Sequence, residues 1–243
     1  MKKLLIYSLL LLPFFAFSQD DKVSFSIEKT VGISDIVILS DGAFSNSSSI
    51  AALYQGRFAY DLGGLVTIPL SDKLHLQTGA KIAVLSSALG GNELRWGTQH
   101  DGNGGWSGPD PDMDLPTSIK SVYSNFYLEI PVRLNIQLSK KSDAFQLSLG
   151  QSPTVKFLST GKSIWTYADR TEKNTSIVES GEGSRIFNMH TQIGFIWKKE
   201  MKNNNSFYLF PNVRMQTFQQ AKSNLTALNL RYLFYGLSAG ITI

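Results

Sequence analysis

The segment NFYLEIPVRLNIQL, residues 125–138, alternates without a break. Phe126, Leu128, Ile130, Val132, Leu134, Ile136 and Leu138 fall on one side, and Tyr127, Glu129, Pro131, Arg133, Asn135 and Gln137 on the other. A period of two over this length describes a β-strand with one apolar and one polar face. Two surroundings accept such a strand. In a soluble sandwich the apolar face meets a second sheet and the polar face meets water. In a membrane barrel the apolar face meets lipid, and the polar face, with Glu129 and Arg133, turns inward.

Seven further segments alternate in the same way: 23–34, 57–70, 74–85, 145–157, 187–197, 206–218 and 230–243. The connections between these eight strands alternate in length. After the first strand comes a Ser/Asn-rich stretch of about 20 residues, then a tight turn at Ser71-Asp72-Lys73. A Gly/Asp-rich stretch over about 86–122 precedes the fourth strand, and the short SKKSDA (139–144) follows it. Residues 160–185 form a third long connection, 198–205 a third short one, and about 219–226 a modest last one. Long extracellular loops and short periplasmic turns are the pattern of an up-and-down membrane barrel, whereas a soluble barrel has no reason to sort its loops by side. About eleven tilted strand residues cross a hydrocarbon layer, and each segment supplies that length. Phe126, Phe145, Phe187, Trp197, Phe207, Tyr232 and Tyr235 lie toward segment ends, as interfacial aromatic girdles do. Lys29 is the exception: it falls on the outward face of the first strand, where it must snorkel or a bulge must shift the register.

The N-terminus supports export. MKKLLIYSLLLLPFFAFSQ has Lys2 and Lys3, an apolar run from Leu4 to Phe17, and an Ala-x-Ser cleavage pattern before Gln19. This is the layout of a secretory signal peptide over residues 1–18, with a run too short for a spanning helix. Removing it leaves a single domain over 19–243 with 21 basic and 19 acidic residues, a balance that gives no reason to expect nucleic acid as a partner. The chain has no cysteine, so packing and hydrogen bonding must hold the exported protein without disulfides.

The polar faces carry the candidate functional residues. Glu28, Asp61, Lys81, Glu129, Arg133, Lys156, His190 and Arg214 all point inward near mid-height. An eight-stranded barrel is just wide enough for side chains to fill it, and charges there must be paired. A salt-bridged interior plug is the expectation; a wet channel or small-ligand site is the alternative. No catalytic residue, cofactor or metal is assigned. His75 adjoins a turn, His190 sits beside Asn188 and Gln192, and the neighbours His100 and Asp101 do not by themselves make a base and its orienter. Asp110, Asp112 and Asp114 alternate in GPDPDMDLP but lack the Gly and closing Glu of a calcium-binding EF-hand. Trp96, Trp106, Trp165 and Tyr167 could stack on sugars or simply pack the long connections. GNGG lacks the strand–helix setting of a phosphate loop.

YLEIPVRLNI, lying between a long and a short connection, resembles the signature strand of the PorT-like outer-membrane β-barrel family of Bacteroidota: an aromatic, Leu, Glu, an aliphatic, Pro, then alternating aliphatics. The Ser-Gln at the end of the leader and the closing YGLSAGITI are also similar to that family. The resemblance implies an integral outer-membrane barrel, in one branch tied to type IX secretion and gliding. The expected fold is all-β: an eight-stranded antiparallel up-and-down transmembrane barrel. The expected partners are outer-membrane lipid, the barrel-assembly machinery and an envelope protein. The expected role is non-enzymatic, structural or binding. The alternatives are a barrel enzyme acting on lipid or peptide, and a secreted soluble ligand-binding barrel.

Overall fold

The computed structural model describes residues 23–39, 54–91, 99–100, 106–107, 116–138, 144–178, 185–201, 205–218 and 229–243. The leader 1–18, Trp96, GNGG, the Asp110–Asp114 run and the side chains of His100 and Trp106 lie outside the described residues. The strands are β1 (Ser24–Leu39), β2 (Tyr54–Ser71), β3 (Leu74–Gly91), β4 (Gln99–His100), β5 (Trp106–Ser107), β6 (Ser118–Glu129), β7 (Val132–Gln137), β8 (Ala144–Thr166), β9 (Thr171–Val178), β10 (Phe187–Glu200), β11 (Ser206–Gln216) and β12 (Asn229–Thr242).

The ladder closes on itself. Each wall strand pairs antiparallel with its sequence neighbours, and β12 pairs with β1. β6 and β7 are one wall strand. Opposite β3 the register runs from Lys81↔Glu129 to Thr78↔Val132 without a slip across Ile130-Pro131. Pro131 removes one ladder donor, but the Ile130 amide still donates to the Pro153 carbonyl at 3.0 Å. The result is an eight-stranded antiparallel up-and-down barrel, whose wall strands each pair on both sides, while β9 lies off the ring and pairs with β8. The short connections gather at one end. There Leu138 N donates to Phe145 O, Met201 N to Asn205 O, and Ile243 N to Phe25 O, each at 2.8 Å.

The two faces are inverted relative to a water-soluble protein. Phe58 is 63% exposed and Ile193 52%, and every wall strand places large apolar side chains outward. Glu28 and Asp61 are 0% exposed and face the lumen. Tyr232 does not belong to an outer girdle. It has the opposite parity to Leu233 and Tyr235 and is buried inside. Lys29 is exposed on the outer face, and the β1 register is regular through Lys29↔Leu62 and Lys29↔Ala239, so no bulge turns it inward.

The upper wall rises further than alternation alone suggests. The third long connection is mostly ladder: β8 continues to Thr166 and pairs with β9 from Ser159↔Val178 to Thr166↔Thr171. Thr, Ile and Trp favour the extended conformation here, although the strict apolar alternation has ended. Similarly, β3 reaches Gly91 and β6 begins at Ser118, inside the stretch expected to be a loop. One bulge shapes the interior. The β6–β8 register shifts between Phe126↔Leu158 and Tyr127↔Lys156, so Lys156 below and Ser159 above both face the lumen.

Candidate functional site: a charged network inside the barrel

Each of the first seven wall strands contributes at least one charged or titratable side chain to the lumen: Glu28 on β1, Asp61 on β2, Lys81 on β3, Glu129 and Arg133 on β6 and β7, Lys156 on β8, His190 on β10 and Arg214 on β11. All eight are buried. Six of them form one connected chain. Arg133 binds Glu28 through both terminal nitrogens, Nη1 to Oε2 at 2.8 Å and Nη2 to Oε1 at 2.6 Å. The Lys81 ammonium bridges Glu28 and Asp61, reaching Asp61 Oδ1 at 2.9 Å. Arg214 continues the chain, with Nη2 on Asp61 Oδ2 at 2.6 Å and Nη1 on Glu129 Oε2 at 3.3 Å. Alternating charge offsets part of the penalty that any one of these ions would incur alone in a packed interior.

Neutral side chains add to the shell, although Arg133 Nε and Arg214 Nε have no hydrogen-bond partner. Tyr208 donates its hydroxyl to Glu28 Oε2 at 2.8 Å, and Thr30 donates to Asp61 Oδ1 at 2.6 Å. Gln77 Oε1 accepts from Arg133 Nη1 at 3.2 Å. Both guanidiniums lie over aromatic rings: Arg133 is 5.0 Å from the Phe210 centroid and Arg214 is 4.1 Å from that of Phe234. Glycines make room for these rings. A Cβ on Gly236 would come within 2.2 Å of Phe234, and one on Gly240 within 2.2 Å of Tyr208.

Above the ions lies a hydrophobic layer of Ile36, Leu85, Tyr127, Tyr232 and Phe234 with Ala59 and Ala83. The Tyr232 hydroxyl accepts from Asn125 Nδ2 at 2.8 Å, and Asn125 Oδ1 accepts from Ser159 at 2.6 Å, so the layer is hydrogen-bonded to the wall. His190 meets Tyr127 edge-on with centroids 5.9 Å apart, and its Nε2 has no hydrogen-bond partner. Lys156 is buried on β8 opposite Tyr127.

Charge and parity alone miss Tyr208, Phe210, Tyr232 and Phe234. The available signal was the aromatic character of the nominally polar face in SFYLF and RYLFY: a strand that is apolar on both faces needs an apolar neighbour inside. Outside the barrel, Trp165 and Tyr167 belong to the β8–β9 hairpin. Arg170 lies 4.2 Å from the Tyr167 centroid and pairs with Asp169 and Glu172 on the exposed tip.

No family model matches the chain, and no curated protein matches it by sequence. Solved structures similar to it include Neisserial surface protein A, with 9% identity and a TM-score of 0.40 over 92% of this chain and 99% of that one. The attachment invasion locus protein Ail of Yersinia pestis, solved in complex with the heparin analogue sucrose octasulfate, has 10% identity and a TM-score of 0.35 over 90% of this chain and 99% of its own. The translocator domain of the autotransporter NalP from Neisseria meningitidis has 6% identity and a TM-score of 0.29 over 99% and 94%.

Proposed function

We propose that this chain is an integral outer-membrane barrel without enzymatic activity. In this reading it is exported by residues 1–18 and sealed by its own side chains, and its extracellular connections bind a partner or support an envelope complex. One observation carries the reading: a complete outer belt of exposed apolar side chains surrounds a lumen of paired charges. Soluble monomers expose apolar patches of only a few hundred Å², so a belt around the whole circumference calls for lipid. The same inversion argues against a secreted soluble barrel, which would keep its apolar side chains inside. Lys29 then sits on the lipid face, and its flexible stem carries the ammonium toward the nearer interface.

The network argues for a plug. Among the described residues, each of the three lumenal carboxylates is engaged by a cation and so is committed to a partner. Outer-membrane lipid and the barrel-assembly machinery are the partners that such a barrel requires. The β8–β9 hairpin, which projects beyond the ring of wall strands, supports a further envelope protein as partner. Membership of the PorT-like family rests on YLEIPVRLNI, whose Glu129 and Arg133 are the residues that join the network.

Two measurements test this. Tags at Asp169 or Gly104 should be reachable on intact cells, and tags at Asp72 or Lys141 should not. Reconstituted protein should show little steady conductance in planar bilayers. Large stable channels would replace the plug with transport, and surface exposure of Asp72 with Asp169 hidden would reverse the orientation.

A further inference from the structure

We propose that the short-turn end of the barrel holds a binding pocket for a small carboxylate that also carries a hydrogen-bond donor, such as a hydroxy acid or an amino acid. A cavity of about 230 Å³ opens there beneath the ion network. At about 30 Å³ per water it has room for on the order of seven waters, or a solute of roughly ten non-hydrogen atoms. The network closes its inner end. Tyr208 lines the cavity, but its hydroxyl is committed to Glu28. Gln77 also lines it and is held on both sides, donating to Thr67 Oγ1 at 3.3 Å and accepting from Arg133.

The remaining wall is chemically two-sided. Lys198 is its charged member among the described residues, and none of the described cavity-lining residues is an Asp or Glu. A carboxylate entering here meets a cation without an opposing acid. Asn135 on β7 and His75 on β3 are cross-strand partners, two and three wall strands away from Lys198 on β10. Asn135 is 2% exposed, and its Oδ1 accepts no hydrogen bond; His75 Nδ1 likewise has no partner. Asn135 Oδ1 is a buried acceptor without a donor, and His75 Nδ1 is a second in the tautomer protonated on Nε2; such atoms are costly unless something donates to them. A ligand with an anionic end for Lys198 and a hydroxyl or ammonium for Asn135 and His75 answers both needs. A plain dicarboxylate answers one.

The experiment uses the full folded barrel in detergent micelles and titration calorimetry with four probes. Tartrate and glutamate have the acid and the donor, succinate has the acid alone, and erythritol has donors alone. Saturable binding of tartrate or glutamate, at least tenfold tighter than succinate and undetectable with erythritol, is the expected result. Lys198→Met lies at the partly exposed rim and should weaken that binding at least tenfold without shifting the gel-shift melt. Asn135→Asp should reduce it similarly; if that variant does not fold, nuclear magnetic resonance shifts of the Asn135 side-chain amide on tartrate or glutamate addition report the same contact. No saturable binding by either probe, or unchanged binding in Lys198→Met, overturns the site. Equal binding of succinate overturns the donor half of the assignment.

The pocket rests on the sealed-lumen reading only in being blind. Conductance of the same preparation separates the two: a failed pocket leaves a silent barrel that binds nothing, whereas a failed plug gives current.

Discussion

Arg133 and Glu28 face each other across the lumen in a two-pronged contact, with Nη1–Oε2 at 2.8 Å and Nη2–Oε1 at 2.6 Å. They stand on β7 and β1, separated along the chain by 105 residues, and neither is more than 1% exposed. The fork fixes the guanidinium plane as well as its position. Glu28 also takes Lys81 and Tyr208, which makes it the most heavily coordinated carboxylate of the network.

Removing that carboxylate strands Arg133 and leaves Lys81 with Asp61 alone. Glu28→Ala should cost about 3–5 kcal/mol, the range for breaking a buried pair. Glu129→Ala should cost less, because Glu129 meets Arg214 only through a 3.3 Å contact and Arg214 keeps Asp61. The temperature at which each folded barrel loses its heat-modifiable gel shift gives the ranking. Equal melts for both variants and wild type would mean that the lumen is open water rather than a packed network.

The glycines beneath the aromatic rings give a second test. Tyr208→Phe removes one hydrogen bond to a charged acceptor, a loss of about 1.5–3 kcal/mol. Gly240→Val should be worse, since its Cβ would stand 2.2 Å from the Tyr208 ring and push the whole side chain off Glu28. In Tyr208→Ala the Gly240→Val penalty should largely vanish, a coupling that a double-mutant cycle on the gel-shift melt reads directly. Additive effects would place Gly240 outside the Tyr208 contact.

On the outer face, Ile193→Arg and Ile130→Arg should impair insertion by about 2–4 kcal/mol if they lie near the bilayer midplane. Gln137→Arg, turned inward at the short-turn end, should be milder. Folding yield into lipid vesicles compares the three. Equal tolerance would mean that no bilayer surrounds the apolar belt.

Lys29 makes the opposite prediction. A lysine on a lipid-facing strand costs about 2–4 kcal/mol at the midplane and about 0–1 near an interface. Lys29→Leu should therefore raise stability, and the size of the gain measured in urea titrations from vesicles reports the depth of β1. A loss of stability instead would show that Lys29 holds a contact the barrel needs.

Strand number and antiparallel order were legible along the chain. Side-chain direction alternates with a period of two, so one residue's face sets its neighbours' until a bulge intervenes. The same rule exposes the misplacement of Tyr232, since Leu233 and Tyr235 could face outward only if Tyr232 faced in. Parity does not carry across the bulge at Phe157, and it does not show that β8 and β9 continue as a ladder where apolar alternation stops. Nor does it choose partners. That Arg133 meets Glu28, while Arg214 meets Asp61 and Glu129, depends on how far each strand is staggered as the sheet closes and on which aromatic rings fill the lumen beside them. Alternation is a property of each strand alone, whereas the height at which two inward side chains meet is a property of the closed ring.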